Sequence, residues 1–152
     1  MPVNKKFLGL ILAVSAVLGC ASPVEISKTV WGSSTRALEE ARPNGIIKTY
    51  DISLNRCYDE ALKAVQDEGY VIFINNKQKA TIVVMGIKGN VNTTEVGIFF
   101  SEITNNQTKI YISSLASTAK RTVAEHIYPK LDTAFGVEDT QPVTTIDEKQ
   151  SP

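Results

Sequence analysis

The stretch TIVVMGIKGNVNTTEVGIFFSEITNNQTKIYIS, residues 81–113, decides the fold. It contains three runs of β-branched and aromatic residues, at 81–87, 95–103 and 109–113, and this composition is typical of β-strands. Glycine and asparagine residues separate the runs, and such residues mark turns. Because connections this short join neighbouring strands antiparallel, we predict an antiparallel meander. Gly97, inside the second run, predicts a bulge or a close approach of the chain at that point.

The residues on the N-terminal side add two strands and a helix. Residues 70–74 are another continuous apolar run, and residues 46–52 alternate between apolar and polar side chains, so we predict a strand in each. Between them, residues 54–65 repeat apolar side chains every three or four positions and predict an amphipathic helix. Cys57 lies on the apolar stripe of this helix, and we expect its thiol to be buried.

A second helix follows the meander and completes the domain. Its apolar side chains recur at every fourth position up to the stop at Gly136, and Pro129 inside it predicts a kink. The order strand, helix, four strands, helix predicts an α+β two-layer sandwich. We expect a five-stranded, mostly antiparallel sheet with two helices on one face, formed by residues 46–136. Residues 137–152 are polar and without period, and we predict a disordered tail.

The N-terminal segment has the organisation of an export signal. Lys5 and Lys6 precede the run FLGLILAVSAVLGC, which is too short to span a membrane and ends in Gly19-Cys20. This order resembles the lipobox of bacterial lipoproteins, in which the cysteine is acylated and becomes the first mature residue. Two alternatives stay open: ordinary signal-peptidase cleavage after Ala21, and an uncleaved N-terminus.

The lipobox resemblance implies a signal peptide at residues 1–19 and a lipid anchor, such as palmitate, on Cys20. With Ala21 and no aspartate after the cysteine, it also implies the cell envelope, at the outer membrane facing the periplasm where the cell has two membranes. Residues 20–45 are then a lipid-anchored tether with a short helix that Ser33 or Ser34 caps and Pro43-Asn44-Gly45 ends.

Charge and motif content argue against several functions. The chain has 16 basic and 16 acidic residues, and its basic residues form no cluster in the sequence. We therefore expect no nucleic-acid partner. His126 is the only histidine, and the sequence has neither a GxSxG elbow nor the ligand spacing of a zinc site. We therefore expect a protein that is not an enzyme, with no catalytic residue, no metal and no cofactor.

The predicted layout resembles the helix-grip domains of some envelope lipoproteins. The stretches WGSSTRALEEAR and TTEVGIFF, together with the lipobox, are similar to small bacterial lipoproteins of a domain-of-unknown-function type. We expect a non-catalytic, membrane-anchored lipoprotein that binds another envelope component. The alternative is a carrier or sensor of a small or lipidic ligand held between sheet and helices. The candidate contact residues are Lys88, Asn90 and Asn92 in the loop after the third strand, and Trp31, which either packs on the domain or anchors a partner.

Overall fold

The computed structural model describes residues 34–137 and confirms the predicted α+β class. Helix α1 spans residues 34–40, and the 3-10 turn Arg42–Asn44 follows it. The other elements, in chain order, are β1 Ile46–Tyr50, α2 Leu54–Asp67, β2 Val71–Asn76, β3 Thr81–Met85, β4 Val96–Thr104, β5 Gln107–Ser113 and α3 Ser117–Phe135.

All neighbouring strands pair antiparallel in the order β1-β5-β4-β3-β2. Strands β2 to β5 form the predicted meander. Strand β1 lies beside β5, so the chain through α2 crosses from one edge of the sheet to the other. The two edge strands are therefore β1 and β2, and β2 carries an irregularity in its pairing between Ile72 and Ile74.

Helices α2 and α3 cover one face of the sheet, as predicted. Period-2 alternation points Ile82, Ile98 and Ile110 to this face, and all three are fully buried. The helices contribute apolar side chains at their three- and four-residue spacing, and the aromatic rings of Tyr58 and Phe100 meet here with centroids 5.1 Å apart. The core of the domain lies between these two layers.

The opposite face of the sheet has a smaller apolar cluster under α1. Leu38, which is 2% exposed, packs against Val83 and Phe99. Ser113 Oγ donates a hydrogen bond to Leu38 O at 2.8 Å. The Arg42 guanidinium lies 4.9 Å from the centre of the Phe99 ring. Residues 34–44, which the sequence interpretation placed in the tether, therefore pack on the sheet.

Two glycines shape the middle of the sheet. The backbone at Gly97 leaves room for the Phe99 ring, since a Cβ built on Gly97 would lie 2.4 Å from Phe99 Cε2. Gly97 pairs with Val83 and Ser113 without a bulge, and the close neighbour is the side chain of Phe99 instead of the predicted backbone. Strand β3 ends at Met85, two residues earlier than predicted, because Gly86 turns the chain with a φ of +73°. Ile87 still reaches the core and is 1% exposed.

Candidate functional site

One end of the sheet gathers the loop between β3 and β4, the segment after β5 and the first residue of β2. We call this surface the loop end and define it as Val71, residues 86–95 and residues 114–116. Val71 belongs to it because it pairs with Met85, and its side chain touches the position of Gly86. The start of α3 at Ser117 lies directly beside it in the chain.

The loop of residues 86–95 is held by its own backbone. Asn90 N donates to Ile87 O at 3.0 Å, and Thr94 N donates to Val91 O at 2.8 Å. A third, longer bond at 3.4 Å joins Gly86 N to Asn92 O and closes the base of the loop. Together with the buried side chain of Ile87, these bonds hold the loop in a defined shape.

The structure gives the three candidate residues of this loop different surroundings. Asn90 is half-buried, and its Oδ1 accepts a hydrogen bond from Thr118 Oγ1 at 3.0 Å, which ties the loop to the first turn of α3. Lys88 and Asn92 are exposed. Asn90 therefore has a partner within the domain, whereas Lys88 and Asn92 present their side chains to solvent.

Exposed aliphatic side chains concentrate at the loop end. Leu115 is 77% exposed, Val91 72% and Val71 57%. Within residues 34–137 these are the three most exposed large apolar side chains. Leu115 follows the end of β5, Val91 lies in the loop after β3, and Val71 begins β2, so all three belong to the same end of the sheet. Their exposure makes this end of the sheet a candidate surface for contact with a partner.

A groove of about 400 Å³ lies at the base of the loop, where α1, residues 93–95 and residues 114–116 meet. Ala37, Leu115 and Ala116 supply apolar surface, four residues supply hydroxyl groups (Ser34, Thr93, Thr94 and Ser114), and Glu95 supplies a carboxylate. Ser34 Oγ donates a hydrogen bond to Glu95 Oε2. The groove therefore combines aliphatic and hydroxyl-bearing side chains with one carboxylate.

Two serines hold Glu95 in place. Besides the bond from Ser34 to the carboxylate, Ser114 Oγ donates to the backbone oxygen of Glu95 at 2.7 Å. The same hydroxyl accepts a hydrogen bond from Ala116 N at 3.2 Å. Both the side chain and the backbone of Glu95 are thus fixed by neighbours from other segments.

Two of the polar clusters outside the loop end involve α3, and both serve contacts within the domain. Asp132 accepts hydrogen bonds from Lys48 Nζ and Tyr50 OH at 2.6 and 2.9 Å, which joins α3 to β1. The pKa of Tyr50 is raised, first by burial and then by the negative charge of Asp132. Tyr128 OH donates to Ile46 O at 2.8 Å, and burial raises its pKa as well.

The second cluster connects the end of α2 to the middle of α3. Tyr70 OH lies 2.7 Å from His126 Nδ1, and Glu68 contacts His126 and Lys130 at 3.3 and 3.0 Å. Burial raises the pKa of Tyr70 to about 12, with a smaller contribution from the Glu68 charge. His126 is thus a partly exposed residue at the boundary between the helices. Among the residues that the structure describes, no three His, Cys, Asp or Glu side chains are placed to hold a metal ion.

The predicted signal peptide at residues 1–19, the predicted residues Cys20 and Trp31, and the predicted tail from residue 138 onward lie outside the described residues. Cys57 is a free cysteine and is fully buried, and burial raises the pKa of its thiol. Within residues 34–137, the helices lack the length and apolar character that crossing a bilayer requires.

No protein-family model matches this chain, and no curated protein matches it in sequence. The geometry also adds residues that sequence reasoning missed, namely Val91, Leu115, Glu95 and Ser34. Val91 and Leu115 are isolated aliphatic residues between polar ones, so no periodic pattern indicates them. The hydrogen bond from Ser34 to Glu95 joins residues 61 positions apart, and no local sequence pattern indicates such a contact. The turn residues of the loop were the part of this surface that sequence could reveal.

Proposed function

We propose that the protein is a non-catalytic lipoprotein of the cell envelope that binds another envelope component through its loop end. The observation that carries this proposal is the concentration of exposed Val71, Val91 and Leu115 on a surface whose loop is held by its own hydrogen bonds. An ordered loop presents apolar side chains at a lower entropic cost than a mobile one, which favours binding.

The packing of the core favours this function over transport of a small ligand. A carrier needs a cavity between its layers. Here the fully buried side chains of Ile82, Ile98, Ile127 and Leu131 fill the space between the sheet and the two helices, together with the Tyr58 and Phe100 rings. A ligand in that place would have to displace them. The exposed apolar side chains at the loop end need no such rearrangement to reach a partner.

The lipid anchor on Cys20 belongs to the same proposal and rests on the resemblance of FLGLILAVSAVLGC to a lipobox. Ser34, the first described residue, is hydrogen-bonded to Glu95 at the loop end. The chain from Cys20 to Ser34 spans at most about 50 Å when fully extended. Acylation would therefore limit how far Ser34 can lie from the bilayer, and would favour a partner at or near the membrane.

Photo-crosslinking in cells tests the binding surface. A photoreactive amino acid is placed at Val91, and the control is the same amino acid at Asn105, an exposed residue in the β4–β5 turn at the other end of the sheet. We expect a discrete envelope protein to crosslink at position 91 and not at 105. Equal crosslinking at both positions, or none at position 91, would contradict the proposed function.

Acylation is tested separately with an alkyne fatty-acid probe. We expect the wild-type chain to incorporate the probe and the Cys20→Ser variant to lose it. Stable anchoring needs more than one acyl chain, so mass spectrometry should find at least two on the mature N-terminus. A mature chain that begins at Ser22 would show ordinary signal-peptidase cleavage instead.

A further inference from the structure

The groove at the base of the loop has a chemistry that selects its occupant. Of the side chains that line it, Glu95 alone is ionisable, and the others are aliphatic or carry hydroxyl groups. The most exposed apolar side chain of the groove is Leu115, so an occupant can place apolar atoms against Leu115 and Ala116 while a positive group reaches the carboxylate. A long alkyl chain that ends in a cation meets both requirements, and lysine has this form.

Glu95 keeps acceptor sites for a cation beside its bond from Ser34. A carboxylate has about four lone-pair sites, and the Ser34 hydroxyl occupies one of those on Oε2. A lysine ammonium is a single point charge and needs one acceptor. Because Ser34 and Ser114 hold Glu95, the carboxylate is also oriented before a ligand arrives.

From this arrangement we infer that the groove binds a lysine side chain exposed on the envelope partner, with its alkyl stem against Leu115 and its ammonium at Glu95. The inference rests on the proposed function and names the chemistry of the partner. Exposed Val91 and Leu115 would supply the surrounding apolar contact, and the pair of Glu95 with lysine would set the register of the two proteins.

Two probes of equal length and opposite charge test the groove. The full chain with Cys20→Ser is titrated with n-hexylammonium and, separately, with n-hexanoate, and amide chemical shifts are followed by NMR. We expect hexylammonium to shift residues 93–95 and 114–116 in a saturable way, and hexanoate to leave them unchanged. Glu95→Gln should weaken hexylammonium binding about tenfold, since it removes a charge-assisted hydrogen bond.

Glu39→Gln is the matched control, because Glu39 is an exposed carboxylate on α1 that does not line the groove. It should leave the affinity for hexylammonium unchanged. Equal shifts from both probes would overturn the inference, because they would show apolar binding without charge selection. An unchanged affinity in a folded Glu95→Gln chain would overturn it as well.

The crosslink at position 91 separates this inference from the proposed function. If Glu95→Gln weakens the crosslink and Glu39→Gln does not, the lysine contact is supported. If the crosslink persists at full strength in Glu95→Gln, the inference fails while the proposed function stands. Vesicles of phosphatidylethanolamine, whose head group is also an ammonium, test a lipid occupant: Glu95-dependent binding to them, and not to phosphatidylcholine vesicles, would overturn a protein lysine as the ligand.

Discussion

Lys48 Nζ lies 2.6 Å from Asp132 Oδ2, and this ion pair joins edge strand β1 to helix α3 across the core side of the sheet. Both side chains are largely buried, at 16% and 12% exposed. The alternation of β1 places Lys48 on the same face as Ile46 and Tyr50, which explains why a charged residue points towards a helix here. Asp132 on α3 neutralises that charge.

Removal of one partner of this pair should strongly destabilise the domain. Asp132→Asn keeps the shape of the side chain but leaves the ammonium of Lys48 without a counter-charge, and Lys48→Met leaves the carboxylate with Tyr50 alone. We expect each change to lower the free energy of unfolding by about 3 kcal/mol, as for other buried ion pairs. The double variant should lose less than the sum of the two, because neither charge is then left unpaired. Urea denaturation of the four proteins measures the difference.

The pair of Lys77 with Asp59 is the control, since its atoms are also 2.6 Å apart but its side chains are 50% and 60% exposed. Water screens such a pair, so Lys77→Met should cost less than about 1 kcal/mol. If Lys48→Met and Lys77→Met had equal effects, burial would not determine the strength of the Lys48–Asp132 interaction.

The buried tyrosines predict a loss of stability at alkaline pH. The pKa values of Tyr50 and Tyr128 are raised by burial and, to a smaller extent, by Asp132, whereas an unfolded tyrosine has a pKa of about 10. Their contribution to stability is therefore fully present below pH ~10. Above it, the unfolded chain loses protons that the folded chain keeps, so stability falls as pH rises. We expect urea midpoints to decline steeply between pH ~10 and pH ~11.

Tyr50→Phe should make this decline shallower, although it also lowers stability at neutral pH because the hydrogen bond to Asp132 is lost. Phe135→Leu serves as the control, because the Phe135 ring packs edge-on against Tyr50 at 5.1 Å but has no titrating group. It should lower the midpoint at every pH and keep the wild-type slope. An unchanged slope in Tyr50→Phe would show that another group governs alkaline unfolding.

The two-layer sandwich could be predicted from the sequence because its signals are local. In residues 81–113, runs of β-branched side chains indicate the strands, and glycine and asparagine indicate the turns. From Ala119 to Phe135, apolar side chains recur at helical spacing. The position of β1 beside β5 was not predicted, because no local sequence pattern shows which of two strands far apart in the chain will pair. The sequence predicts the short helix itself, but not which surface it packs against. Leu38 is the one buried side chain of residues 34–44, and its partners Val83 and Phe99 are far away in the chain.

The candidate site could be predicted only in part, for the same physical reason. The turn residues Lys88, Asn90 and Asn92 stand out in the sequence, and they do belong to the loop end. The groove beside them depends on Ser34, Glu95 and Leu115, which come together from three separate segments. Only the folded sheet brings those segments to one end.

Helix α1 should contribute to stability as a part of the domain. Leu38 is 2% exposed and packs on Val83 and Phe99, so Leu38→Ala removes a buried side chain and leaves a cavity. We expect a loss of about 3 kcal/mol in the free energy of unfolding, as for other large-to-small core changes. Glu39→Ala, in the exposed next position, should change stability by less than about 0.5 kcal/mol. Equal stabilities of the two variants would mean that α1 is only loosely attached to the sheet.

Cys57 should be unreactive in the folded protein. Its thiol is fully buried, and burial raises its pKa, so both access and the thiolate fraction are low. In a Cys20→Ser chain it is the only thiol. We expect a thiol reagent to label this chain slowly in buffer and rapidly in denaturant, and we expect Cys57→Ala to cost about 1 kcal/mol. Fast labelling without denaturant would contradict the position of Cys57 in the core.

The last prediction concerns the contact between Gly97 and Phe99. Gly97→Ala would place a methyl group 2.4 Å from Phe99 Cε2 and 2.7 Å from Cζ, so the buried ring would have to move away from Val83 and Leu38. We expect this overpacking to lower the free energy of unfolding by about 2 kcal/mol. Phe99→Ala alone should cost about 3 kcal/mol or more, because it empties the small cluster under α1. In the double variant the added methyl no longer meets a ring, so the combined loss should fall short of the sum by at least about 1 kcal/mol. Denaturation of all four proteins under the same conditions measures this coupling, and strictly additive losses would show that the ring of Phe99 does not limit the residue at position 97.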